Sequence, residues 1–268
     1  MLMQVYFLGS DLMRSDSRRR GGVIILIVLL ILLLCLAGYF GLRMYRDYKA
    51  RQQAEALSES YTVTVPTTVD NRPENPVDFA SLQARNSEVY AWIVVPNTEI
   101  ELPILQSFAD DLYYLNRDLD GKYSRLGSLF TQSKNSLDFS DPVTVIYGHN
   151  YYSGGMFTNL HYFEDADFFK ENEFFYIYTP GRKLTYRIVS AYKYDDRHIL
   201  NSFDFSDEQV RREYFDGVLN PKAMLRNVRE GVELQTDDKL VVLSTCLTGG
   251  YSGRYLVNGV LIKDEQTR

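Results

Sequence analysis

Thiols, imidazoles and indoles are scarce in this chain: its 268 residues include two cysteines, three histidines and one tryptophan. Cys35 lies inside an apolar N-terminal stretch, so the rest of the chain holds Cys246 alone and cannot form an internal disulfide. That excludes a disulfide-stapled secreted module and fits a bacterial cell surface better. A structural zinc site is excluded too, since it needs a cluster of thiols and imidazoles that one cysteine and scattered histidines cannot supply. The sequence also lacks a basic stripe with interleaved aromatics, and with a formal net charge of -6 no nucleic-acid partner is expected. Asn116, Asp118, Asp120 and Gly121 imitate the opening of a calcium loop, but Gly127 stands at its twelfth position, where a bidentate Glu is required. No metal or cofactor is expected.

What remains is 45% hydrophobic and 14% aromatic with 21 tyrosines, enough for one globular domain plus an anchor. Val23 to Leu42 is almost wholly apolar and uncharged, and a bilayer span needs roughly 20 such residues. A cleaved signal peptide has a shorter apolar region of about 7–15 residues and a small-residue cleavage site. Here the run passes straight into Arg43, which favours an uncleaved anchor. Arg14, Arg18, Arg19 and Arg20 before the span are matched by Arg43, Arg46, Lys49 and Arg51 after it, so the positive-inside count is a tie. The long domain that follows a first and single span places residues 1–22 in the cytoplasm, the anchor at 23–42, a juxtamembrane helix and linker at 43–77, and an extracellular domain at 78–268.

Tyr45 to Ser58 reads as the juxtamembrane helix, Thr62 to Pro76 as linker, and Phe79 to Tyr90 as a short helix. The period then changes. Ala91–Val95, Ile100–Gln106, Gly127–Thr131, Val143–Tyr147, Phe174–Thr179, Leu184–Tyr194, Lys239–Thr245 and Tyr255–Lys263 are β-branched and aromatic runs separated by turn residues. That spacing predicts an all-β barrel or sandwich. A helical insertion interrupts it, with Ser206 and Gln209 as a capping box and Val210, Tyr214, Phe215, Val218 and Leu219 on one face. Asn220-Pro221 is expected to restart a second helix through Met224, Leu225 and Val228.

Cys246 ends the apolar run Leu240 to Thr245, and a glycine-rich connection leads to Arg254. An unpaired thiol outside the membrane persists either as a buried hydrophobe or because its nucleophilicity is used. If the flanking strands form a hairpin, Arg254 returns beside Cys246, where a guanidinium can favour a thiolate and donate to an oxyanion. A solvated arginine at a strand end is the bland alternative. Among the histidines, His149 follows the strand Val143–Tyr147 and a glycine, His161 lies in a helical-looking stretch, and His198 follows the charged Asp195-Asp196-Arg197. His149 is the best acid/base candidate, because an imidazole near its ordinary pKa of about 6.5 both takes and gives a proton.

Tyr147-Gly148-His149-Asn150 followed by Met156-Phe157 and Leu160, then Tyr176-Ile177-Tyr178-Thr179, then Leu243-Ser244-Thr245-Cys246 with Arg254, resembles the sortases, and within them class B. The resemblance covers roughly residues 78 to 263, and the insertion at Ser206 to Leu219 looks like the helix that marks class B. Val242 stands where the family usually has Thr, a departure that touches packing more than chemistry. The resemblance implies a mainly β fold, a closed sortase-type barrel with N-terminal helices, and transpeptidation at the surface of a Gram-positive bacterium. Its partners would be surface proteins bearing a C-terminal sorting motif and an amine of the peptidoglycan precursor or of a pilin. Cys246 would attack the Thr carbonyl, His149 would shuttle protons, and Arg254 would orient the substrate and stabilise the oxyanion. A cysteine peptidase or peptidoglycan amidase remains an alternative, although such enzymes typically set the cysteine on a helix and ahead of the histidine. A non-catalytic surface-binding module is another.

Overall fold

The computed structural model describes residues 29–53, 55–57, 60, 72–151, 153–247 and 252–268. The N-terminus expected in the cytoplasm, residues 23–28 of the expected anchor, most of the expected linker and residues 248–251 of the glycine-rich turn lie outside the described residues. The chain divides into two compact units, Met1–Tyr48 and Lys49–Arg268. Helix α1, Leu29–Leu57, runs through both, and by length and composition it is able to cross a membrane. The anchor and the juxtamembrane helix read separately from the sequence are therefore one element.

In the second unit, α2 (Phe79–Arg85) starts on the side chain of Asp78, which accepts from the Ser81 N–H, and stops at Asn86. It is shorter than the sequence suggests because Val89 already belongs to β1 (Val89–Val94). The remaining strands are β2 (Glu101–Leu105), β3 (Leu129–Phe130), β4 (Val143–Tyr147), β5 (Phe174–Thr179), β6 (Arg182–Tyr194), β7 (Arg226–Val228), β8 (Leu240–Cys246) and β9 (Arg254–Gln266). Their order is β5-β1-β2-β3-β4-β8-β9-β6, and β5 also pairs with β6, so eight strands close on themselves while β7 extends from β6. Closure leaves the ring no free edge. Most pairs are antiparallel; β2 with β3 and β4 with β8 are parallel.

Burial on both faces explains the unbroken apolar run in β8. Val241 and Leu243 face the barrel interior with Ile93, Ile104, Ile146, Ile177, Ile188 and Val257. Leu240 and Val242 face outward, under Ile199, Leu200, Tyr214, Phe215 and Val218 of the insertion. Val242, at the position where Thr was expected, is thus a wholly buried packing residue. A third cluster seats Phe79 and Leu82 of α2 on Val89, Trp92 and Leu105. Two short 3-10 helices, Tyr113–Asn116 and Thr158–Glu164, and α3 (Ala166–Glu171) fill the connections.

The insertion consists of α4 (Ile199–Ser202) and α5 (Glu208–Leu219). The cap of α5 is Asp207, whose carboxylate accepts from the N–H groups of Gln209 and Val210. Ser206 is not the cap; its hydroxyl is drawn back to Asp204 at 2.6 Å. Nor does Asn220-Pro221 restart a helix. Asn220 closes α5, Met224 is fully exposed, and Arg226–Val228 adds as β7 to the edge of β6.

Candidate active site

Cys246 and Arg254 face each other because β8 and β9 pair antiparallel with Cys246 opposite Arg254. The guanidinium donates through Nη1 to Cys246 Sγ at 2.8 Å, and the thiol is half-buried. Gly253 sets up this approach. Its φ of 128° is one that side chains rarely adopt, and a Cβ there would come within 2.8 Å of the Tyr194 carbonyl oxygen. Ser252 Oγ donates to Asp196 Oδ2 at 3.0 Å, tying the end of the turn to the segment after β6.

His149 reaches the same end of the barrel along the neighbouring strand. In the parallel pair of β4 and β8 Tyr147 lies opposite Ser244, and the Gly148 N–H donates to the Ser244 carbonyl at 3.1 Å. Two residues further along each chain stand His149, just past the end of β4, and Cys246, the last residue of β8. A Cβ on Gly148 would press on Leu129 at 2.5 Å and on Phe157 at 2.7 Å, so glycine is required where the chain leaves β4. The ring of His149 is held by Nε2, 2.6 Å from the Leu115 carbonyl oxygen, and edge-on to Tyr151. A carbonyl only accepts, so Nε2 carries a proton and Nδ1 is the end left for exchange. Burial lowers the pKa of His149 below its ordinary value, the Leu115 carbonyl opposes that shift, and the positive charge of Arg254 adds to it.

The other two histidines also lie at this end. His198 immediately precedes α4 without a side-chain hydrogen bond to it, and its ring lies 6.2 Å from that of Tyr147. His161 meets the main chain of Cys246: its Nε2 is 3.0 Å from the Cys246 carbonyl oxygen, and its Nδ1 is 2.6 Å from Glu164 Oε1. Sequence reasoning sets His161 aside in favour of His149, includes Asn150 only as part of the Tyr147-Gly148-His149-Asn150 run, and misses Glu164 and the Leu115 carbonyl. The spacing of His161 and Glu164 was a usable signal, since residues three apart share a side in a 3-10 helix. Among the described residues no group of thiol, imidazole and carboxylate side chains is arranged to hold a metal. The acidic turn at Asp118 and Asp120 is instead engaged by main-chain N–H groups and by Arg85 and Lys122.

A family model of the sortase domain matches residues 93–262, well over half of the chain and running from the end of β1 into β9. The chain belongs to the sortase family. Within it the chain is of class B. Sortase B of Listeria monocytogenes is 28% identical over 224 residues, 83% of this chain and 89% of that protein. The crystal structure of sortase B from Bacillus anthracis superposes with a TM-score of 0.69 at 27% identity, covering 82% of this chain and 99% of that one. A Streptococcus pyogenes class B sortase involved in pilus biogenesis gives a TM-score of 0.60 at 31% identity, covering 69% of this chain and 98% of that one. The sortase is accordingly a cysteine transpeptidase built on a closed eight-stranded barrel.

Proposed function

We propose that this sortase is held in the cell membrane by α1 with residues 78–268 outside, and that it cleaves a C-terminal sorting motif after Thr and joins the released protein to a cell-wall amine. The observation that carries the reading is the contact of Arg254 Nη1 with Cys246 Sγ at 2.8 Å, which couples the lone thiol to a fixed cation. His149 Nδ1 takes the thiol proton, and the sulfur attacks the Thr carbonyl carbon. Arg254 donates to the oxygen that becomes negative. Collapse breaks the peptide bond as His149 returns the proton to the leaving amine, leaving a thioacyl enzyme. The acceptor amine then gives its proton to His149, bonds to the acyl carbon and expels the sulfur. The Streptococcus pyogenes relative involved in pilus biogenesis favours one variant of this reading, in which the acceptor is a pilin amine rather than a peptidoglycan precursor.

The full chain with a library of pentapeptide sorting motifs, in the presence of glycine-, peptidoglycan- or pilin-derived amines, tests the proposal. We expect ligated product with slow hydrolysis when amine is omitted, and no turnover by Cys246→Ala at unchanged thermal stability. Turnover by Cys246→Ala would refute the covalent route. Fast hydrolysis that no amine diverts would favour a peptidase.

A further inference from the structure

Behind the thiol, on the main chain of the same residue, two side chains converge, with a third behind one of them. The pairing of β8 with β4 ends at Ser244, so beyond it the ladder no longer holds that side of the strand. Side chains replace the ladder there. His161 Nε2 lies 3.0 Å from the Cys246 carbonyl oxygen, and Asn150 Nδ2 lies 3.1 Å from that oxygen and 3.0 Å from His161 Nε2. The ring of His161 stacks on Tyr255 at a centroid distance of 5.0 Å and 27° between planes, and its side chain is 13% exposed. Tyr255 neighbours Arg254 on β9, so the ring is braced by the strand that also supplies the guanidinium.

Glu164, 2.6 Å from Nδ1, determines how the imidazole can act. A carboxylate only accepts, so Nδ1 carries a proton and the ring is fixed in direction. With Nε2 also protonated, the ring donates to the Cys246 carbonyl. With Nε2 bare, the two N–H bonds of the Asn150 amide serve instead, one to Nε2 and one to the carbonyl. The carbonyl therefore has a donor in either state. A strand end needing no more than a cap would be satisfied by Asn150 alone.

We propose that His161, oriented by Glu164 and backed by Asn150, is a positioning residue that fixes the main chain of Cys246 and so aims the thiol at the acyl carbon. This rests on the reading of Cys246 as the nucleophile. Since the Cys246 carbonyl faces these side chains, loss of the hold affects the attacking sulfur more than the bound substrate. The signature is a fall in kcat at nearly constant KM.

The test uses the full chain in detergent with a sorting peptide and an amine. His161→Phe keeps a ring on Tyr255 but has no nitrogen, and its kcat is expected to fall about tenfold with KM within about twofold of the parent. His161→Gln, whose amide can donate from the place of Nε2, restores most of kcat. Glu164→Gln, which loosens the ring, gives an intermediate fall. Unchanged kcat in His161→Phe, or a His161→Gln variant no better than the phenylalanine, overturns the proposal. If His161→Phe does not fold, Glu164→Gln decides: a lower kcat at constant KM supports the proposal and an unchanged kcat overturns it. Cys246→Ala in the same assay separates the two levels, because turnover there would strike the nucleophile itself whatever the His161 variants do.

Discussion

A neutral, half-buried imidazole beside a guanidinium titrates unlike a free histidine. Burial and Arg254 lower the pKa of His149, so the unfolded chain, with its ordinary value of about 6.5, binds more protons than the native chain between the native midpoint and that value. Stability contributed by this group therefore rises with pH across that window and is lost as the solution is acidified through it. NMR titration of the His149 ring should give a midpoint below about 6.5, and Arg254→Gln should move it upward. A midpoint at or above the free value would contradict the burial and charge argument. Arg254→Lys keeps the charge and loses the planar fork, and we expect kcat/KM to fall about 10²-fold, the scale of one oxyanion donor, with little change in Tm. Near-parental activity would reduce Arg254 to a strand-end arginine. Cys246 and Arg254 were legible as a pair because a hairpin is a local object. The main-chain partners of His149 and His161 were not, since the Leu115 carbonyl, in a 3-10 helix, and the Cys246 carbonyl, on β8, lie far from them in sequence.

The insertion shows where local signals compete. Eight of the nine strands can be read from alternating and apolar runs, but β7, three residues long, offers no period to count. Asn220-Pro221 carries a real start signal, yet Asn220 is already used to close α5, and the pairing of Arg226–Val228 with β6 takes the chain away from a helix. Asp207 and Ser206 are both good cap residues, and the neighbour decides between them, because Asp204 engages Ser206. Asp207→Ala should cost about 1 kcal/mol by thermal unfolding with kcat/KM retained, and Ser206→Ala distinctly less. The reverse order would restore the serine as cap.

At the scale of the molecule, the segment just before residue 78 is stitched to the end of the chain and to β5. Asn75 N–H donates to the Arg268 carbonyl and Arg268 N–H to the Pro73 carbonyl, each at 3.1 Å, while the Arg268 guanidinium pairs with Glu74 at 2.5 Å. Asn75 Nδ2 also reaches the Thr179 carbonyl at 2.9 Å, and Val77 is buried under α2. A chain cut to begin at Asp78 should therefore be less stable than one beginning at Arg72 by about 3 kcal/mol, the sum of one buried valine and a few hydrogen bonds. Equal unfolding temperatures would show that the stitch adds nothing. Closure was legible through the family resemblance, whereas strand spacing alone left barrel and sandwich open, because strand order depends on pairings that no run of residues encodes. Arg51 of α1 adds a contact of the same long-range kind, donating to the Ser153 carbonyl at 2.8 Å in the loop after His149 and pairing with Glu99.

The parallel pairing of β4 with β8 has a consequence for the order in which the protein comes into being. Half of the site is synthesised on β4, and the other half waits for β8 and for β9, the last strand of the chain. Loop closure over that distance is slow compared with hairpin formation. A chain made only as far as β4 has neither Cys246 nor Arg254, and one made only as far as β8 has Cys246 but still lacks Arg254. On the proposed roles, the three side chains therefore share one site only after β9 has paired with β8.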